Sequence, residues 1–337
     1  MKKFNTVLKW IAVACSITFV VGFTLSIVSL KKYNENFSDF VQNNSDVIGS
    51  HFSNGINTLI ENGIENIDKI ITINSSNTSE LNNYKNLNKE IDLESIKNLD
   101  IKCDISKIEI IESNNNQKAK LTCKYLKDCD IKSNGDKTNI IINNGGASKN
   151  IKNTSYNLKI EIPKNFCFDK LDISTDLGNI KLNNIKFKSS NIDSSLGNVD
   201  IDNDEYTIAE NMDINLSLGK LEIKNMDAIN SKLYNNMGNV ILKVNNKGNE
   251  KCNELIVSCD CGKIETSFNY LDRNISFEND LGETDISVKN TAKNLDFDIL
   301  SDVGKVTNNL KVEEDSNLSN RYKIKIRNDM GNIKLEH

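Results

Sequence analysis

Histidine is nearly absent from this 337-residue chain: His51 and His337 are the only two, and neither lies in a motif. Most metal hydrolases and every Ser-His or Cys-His nucleophile need a placed imidazole, so those chemistries are set aside. The single proline, Pro163, excludes a Pro-rich linker. The single tryptophan, Trp10, leaves the rest of the chain without the aromatic platforms that sugar clefts use. Arginine is as scarce, with only Arg273, Arg321 and Arg327. A net charge of -5 is too mild to point to nucleic acid, and none is expected as a partner. What the chain has in excess is asparagine, 55 residues of it, with abundant Ile and Lys. That excess reads as compositional bias first and turn chemistry second.

Trp10 to Leu30 runs 21 residues without a charge. At about 1.5 Å per residue a helix of that length reaches roughly 32 Å, enough to cross a bilayer core. Lys2, Lys3 and Lys9 precede it and Lys31 and Lys32 follow, a bias that slightly favours a cytoplasmic tail over residues 1–9. A cleaved leader and lipidation at Ala12-Val13-Ala14-Cys15 are the competing readings. Against them, the apolar run continues fifteen positions past Cys15 and no small-x-small site follows it. The expectation is an uncleaved anchor over 10–30.

Between residues 34 and 71, Phe37, Phe40, Val41, Val47, Ile48, Phe52, Ile56, Leu59, Ile60, Ile64, Ile67 and Ile70 recur at helical spacing. Gly49, Gly55 and Gly63 weaken the pattern, each by about 1 kcal/mol against alanine. The segment reads as an amphipathic helix, whole or broken, serving as stalk or cap. Its acidic face (Glu35, Asp39, Asp46, Glu61, Glu65, Asp68) suits anionic lipid poorly. Residues 72–96 read as an Asn- and Ser-rich linker.

The rest is a repeat. Gly178, Gly197, Gly219, Gly238, Gly262, Gly282, Gly304 and Gly331 each sit in one pattern, an apolar residue before and Asn, Lys or Glu after. The preceding residues, read as the repeat core, are Leu177, Leu196, Leu218, Met237, Cys261, Leu281, Val303 and Met330. Beyond Gly146 the chain has nine glycines, and only Gly248 falls outside the motif. Around each, apolar and polar residues alternate with period two, as in Leu171, Ile173, Ile180 and Leu182, which predicts strands with one buried face. The glycines then mark bends or positive-φ corners, with the preceding Asp, Ser or Asn supporting them. A unit of about 20 residues cannot bury a face alone, so the copies must stack. An earlier, degenerate copy runs from Ile101 to Ile110 with Ser106 in the glycine place. The expected fold is all-β, a β-solenoid over residues 97–337, whose last copy ends at Leu335 and leaves an open edge at the chain terminus, guarded by the charges of Lys323, Lys325, Arg327 and Lys334 or, in the sharper reading, offered to a partner or a second copy.

Tyr156-Asn-Leu-Lys-Ile-Glu-Ile-Pro163 followed by Leu171-Asp-Ile-Ser-Thr-Asp-Leu-Gly178-Asn-Ile-Lys-Leu182 resembles the bacterial adhesin-like family called domain of unknown function 4097. The resemblance covers roughly residues 97 to 337. It implies a β-solenoid-like fold behind an N-terminal anchor at the envelope of Gram-positive bacteria, and it implies no catalytic residues.

Other constellations have bland readings. Cys103 and Cys259 fall at a small inward position shared with Thr175, Ser194 and Ser301, and buried thiols there act as small hydrophobes. A Cys259–Cys261 metal pair lacks a CxxC or histidine partner. Cys167 and Cys252 sit several repeats apart, too far for a bridge. The acids Asp176, Asp260, Asp280, Asp302 and Asp329 suit turn capping better than a calcium ladder, which needs convergent oxygen ligands. No cofactor and no metal are expected. The function expected is a non-enzymatic, single-pass membrane protein presenting the solenoid extracellularly as an adhesin-like interaction or scaffold module with a protein or glycan surface partner. The alternative is an envelope-stress sensor acting through a membrane protein, with a cell-wall glycan enzyme a distant third.

Overall fold

The computed structural model describes residues 85–114, 117–144, 157–248, 252–315 and 321–337. The expected anchor, amphipathic segment and most of the linker lie outside those residues. Among the described residues no helix is long and apolar enough to cross a membrane. One 3-10 turn, Leu93–Ile96, is the only helical element there, and strands make up most of the remainder.

The period-two pattern produces the strands directly. In Cys167–Leu177, the side chains of Phe168, Leu171, Ile173 and Thr175 are buried while Asp172, Ser174 and Asp176 face out. The chain turns at Gly178 and continues as Ile180–Asn183 on a second sheet. As far as the Gly282 coil, each later copy lies parallel on the one before it and in register. Ile192 pairs with Ile173 and with Ile214, Ile214 with Leu233, Leu233 with Val257, and Val257 with Phe277. On the facing sheet Ile180, Val199, Leu221, Val240 and Ile264 form the matching column. These two columns are the core. Each fully buried aliphatic side chain in them contributes about 1.5–3 kcal/mol.

At the corners the stacked backbones nearly touch. Gly219 has φ +153°, and a Cβ placed on it would lie 1.8 Å from the carbonyl oxygen of Gly197. The residues before the glycines are therefore not core, which corrects the sequence reading. Leu177, Leu196, Leu218, Cys261, Leu281, Val303 and Met330 are half-buried, and Met237 is 45% exposed. The corner breaks the alternation. Glycine takes the inner track, its predecessor rides the outer shoulder, and the enclosed position falls three residues before the glycine.

Both ends of the stack depart from sequence order. Label β1 Lys85–Ile91, β2 Asn98–Ile105, β3 Lys107–Ser113, β4 Ala119–Tyr125, β5 Asp128–Asn134, β6 Lys137–Asn143 and β7 Asn157–Pro163. The β2–β3 copy, with Ser106 in the glycine place, stacks on the Gly178 coil. On its other side lie β6 and β7, parallel to it. Beyond them β5 runs antiparallel to β6, β4 antiparallel to β7, and β1 antiparallel to β4. Residues 85–96, read as linker, thus belong to the folded body, because Ile91 and Ile96 are buried in its core.

At the far end Tyr322–Met330 pairs with Asn274–Leu281 on one side and Leu295–Val303 on the other. The Gly331 coil is inserted between the Gly282 and Gly304 coils, so the chain terminus is not the end of the stack as expected. The physical reason is polarity. Ile324 and Ile326 are fully buried in the inserted strand, whereas the outer one carries Asp296, Asp298 and Asp302.

The crowded corner makes a stability prediction. Gly219→Ala, whose Cβ meets backbone, should cost about 3 kcal/mol or more. Gly135→Ala, also at positive φ (+60°) but with nothing within 4 Å, should cost about 1–2 kcal/mol. Gly248 is a poor control, since at φ +78° its Cβ would sit 3.2 Å from the Tyr270 ring. Urea midpoints of the purified chain decide the matter, and equal losses at Gly219 and Gly135 would refute a crowded corner.

Candidate functional site

The polar interior forms a ladder at the position three before each glycine. Asn235, Asn279 and Asn328 donate through Nδ2 to the carbonyls of Gly219, Gly262 and Gly282 at 3.0, 3.1 and 3.0 Å. Cys259 donates to Gly238 O and Ser301 to Gly331 O. Burial pushes the Cys259 thiol up to about 12, so it stays protonated and donating. Cys103 is held above its usual range in the same way.

The outer corner is supported by the residue after the glycine, not by the acid before it. Asn179, Asn198, Asn239 and Asn332 accept through Oδ1 from the backbone N–H of Asn198, Lys220, Lys263 and Lys305 in adjoining coils. At the opposite corner Asn165, Asn184, Asn225 and Asn294 occupy left-handed φ of 51–63°. Buried Asn203 and Asn246 each close a two-bond ring with the backbone of Ile185 and Tyr270. The asparagine excess is therefore fold chemistry first. The acids at the Gly262, Gly282, Gly331 and Gly304 corners, Asp260, Asp280, Asp329 and Asp302, instead form a column of like charge along the stack. Burial first, then Asp329 and Asp260, raises the Asp280 carboxyl.

The sequence reading missed one buried ionic cluster. Arg273 has no exposed surface, lies 2.5 Å from Asp227, and covers the Phe268 ring. Tyr206 donates to the same carboxylate at 3.1 Å, and Cys252 lies 3.8 Å from it. Burial opposes the guanidinium charge, but Asp227 more than offsets this and holds it above its usual range. Burial, then Asp227, pushes the Cys252 thiol up to about 12. Such a thiol is a poor nucleophile. The four residues come from four consecutive coils, so the cluster pins the stack together. A lone arginine amid polar neighbours gives no sequence signal for this.

Among the described residues no group of three or more His, Cys, Asp and Glu could hold a metal. Cys103, Cys123, Cys129, Cys167, Cys252, Cys259 and Cys261 are free thiols, with Cys167 exposed and Cys252 buried. The surface cleft between Glu112, Lys164, Asn165, Lys186 and Glu205 is open and lined by polar side chains. The outermost coil is different. Leu295–Val303 pairs on one side only among the described residues, and Phe297, Leu300 and Val306 are 37%, 50% and 42% exposed there.

A family model described as Toastrack DUF4097 matches residues 88–336. Solved structures show low identity. A candidate cell adhesion protein from Clostridium sporogenes shares 14% identity over 75% of this chain and 99% of its own, with a TM-score of 0.29. A candidate adhesin from Bacteroides fragilis shares 12% over 74% and 97%, with a TM-score of 0.36. One from Parabacteroides distasonis shares 11% over 74% and 97%, at 0.29. No curated protein matches.

Two outcomes follow from the charges. Arg273→Met leaves Asp227 buried and unpaired and should cost about 3–5 kcal/mol, while Arg273→Met with Asp227→Leu should recover much of that loss. Additive losses in this double-mutant cycle would show the pair to be uncoupled. Asp280→Asn should stabilise the chain by about 0.5 kcal/mol at neutral pH and low salt, after allowing for solvent screening. Because the folded carboxyl titrates above its unfolded value, the wild type loses stability as pH rises through it. The gain from Asn should then vanish at acid pH, where Asp280 is protonated in both states. A gain independent of pH would discard the repulsion.

Proposed function

This chain belongs to the Toastrack DUF4097 family, and on that premise we propose that it is a non-enzymatic, membrane-anchored envelope protein carrying its β-solenoid outside the cell as an adhesin-like interaction module. The anchor is supported by the uncharged run from Trp10 to Leu30 with basic flanks. The observation that carries the interaction reading is the outer coil, whose strand edge is unpaired among the described residues and whose Phe297, Leu300 and Val306 are exposed. An open edge recruits another strand.

The pairing on the inner side of this strand supports a partner of the same pattern for the open edge. On its inner side Leu295–Val303 receives Tyr322-Lys323-Ile324-Lys325-Ile326-Arg327, with isoleucines inward and cations outward. Arg327 meets Asp298 at 2.6 Å and Arg321 meets Asp296 at 3.0 Å. The partner that matches is an extended protein segment alternating apolar and basic residues. Self-pairing is disfavoured, because it would bring Asp296, Asp298 and Asp302 together with their own copies.

Topology is the test. Protease added to intact cells stripped of wall should remove the strand-rich region and leave a small anchored fragment. Full protection of that region, with cleavage restored on lysis, would place it in the cytoplasm and end the surface-display reading.

A further inference from the structure

We propose that Cys123 and Cys129 are a reversible redox pair whose disulfide staples the reversed end of the stack. Cys123 lies on β4, on the sheet formed through β7, and Cys129 on β5, on the sheet formed through β6. Only Leu126 and Lys127 separate the two strands, so this hairpin crosses from one sheet to the other at the corner. Cys123 stacks through Leu158 on Ile108, and Cys129 through Ile142 on Cys103, positions just after and just before Ser106, so the two thiols face each other across the inside of that corner. Both are free, Cys123 fully buried and Cys129 half-buried.

A third thiol is near but out of reach. Cys129 pairs with Ile142, and Ile142 pairs on its other side with Cys103. Two strand spacings put Cys103 about 10 Å from Cys129, past the roughly 7 Å limit between Cα atoms of a bridge. The register thus selects one partner.

The pair also has an entry point. Cys129 is half-buried and reachable, whereas Cys103, Cys123, Cys252 and Cys259 are enclosed. The neighbouring Cys123 thiol lowers Cys129, while burial raises Cys103, Cys252 and Cys259. Cys129 is therefore the thiolate that attacks an external disulfide, such as oxidised glutathione, forming a mixed disulfide and releasing one thiolate. Cys123 then loses its proton, and its sulfur attacks the Cys129 sulfur and expels the second thiol. Two protein thiols become one disulfide, and the external disulfide becomes two thiols. The staple ties the two sheets at the end where β4 and β5 close the stack, the place where repeat arrays fray. This inference does not depend on the adhesin-like reading.

The test uses the full-length chain, equilibrated with glutathione from fully reducing to fully oxidising. Samples are acid-quenched, unfolded, alkylated and mapped by mass spectrometry. Cys123 and Cys129 should lose alkylation together and appear as one linked peptide, while Cys103 and Cys259 stay alkylated. Hydrogen exchange over residues 119–134 should slow about tenfold on oxidation. In Cys123→Ser, Cys129 should hold glutathione as a trapped mixed disulfide, whereas Cys129→Ser should leave Cys123 unmodified. Cys129 linked to Cys103, or both thiols fully alkylated under the most oxidising buffer, would overturn the proposal.

Discussion

The structure depends on one contact that leaves no room for a side chain: backbone on backbone at the corners. From Gly178 to Gly282, each glycine lies where a Cβ would come within 2.0 Å of the carbonyl oxygen of the coil before. That approach fixes the height of each coil at the spacing of paired strands, about 4.8 Å, so the parallel ladders on both sheets stay in register. Everything inside follows from it. The isoleucine columns align because the corners align, and the amides of Asn235, Asn279 and Asn328 reach the glycine carbonyls because those carbonyls face an inner track no side chain occupies.

The all-β character and the stacking of copies were legible in the sequence because a twenty-residue period and a two-residue alternation are both linear signals. Ser106 in the glycine place was legible for the same reason. The assignment of Leu177 and its seven equivalents to the core was not sound, since alternation says nothing about where a corner interrupts it. Asparagine was undervalued because a residue that serves left-handed corners, inner ladders and outer ladders at once has no single spacing. Arg273 and Asp227 lie 46 residues apart and meet only through the stack, and no local pattern announces such a pair.

The buried ion pair and the asparagine ladders divide the work of specificity. A column of aliphatic side chains tolerates slippage by one whole coil, since isoleucine replaces isoleucine. The Arg273–Asp227–Tyr206 cluster does not, because a slip would leave a guanidinium and a carboxylate buried apart from each other. A repetitive core is thus given a unique register by one unrepeated polar contact.

The order of the final coils has a consequence for synthesis. A ribosome delivers the Gly304 coil before the Gly331 coil, yet the earlier one lies outside the later one. Leu295–Val303 cannot find its place until residues 322–337 have emerged and taken theirs between it and Asn274–Leu281. Growth of the stack is processive only as far as the Gly282 coil, and its completion waits on the Gly331 coil. A product that stopped before residue 322 would lose two coils together and leave the Gly282 edge bare, so the outer surface reports on a coil made after it.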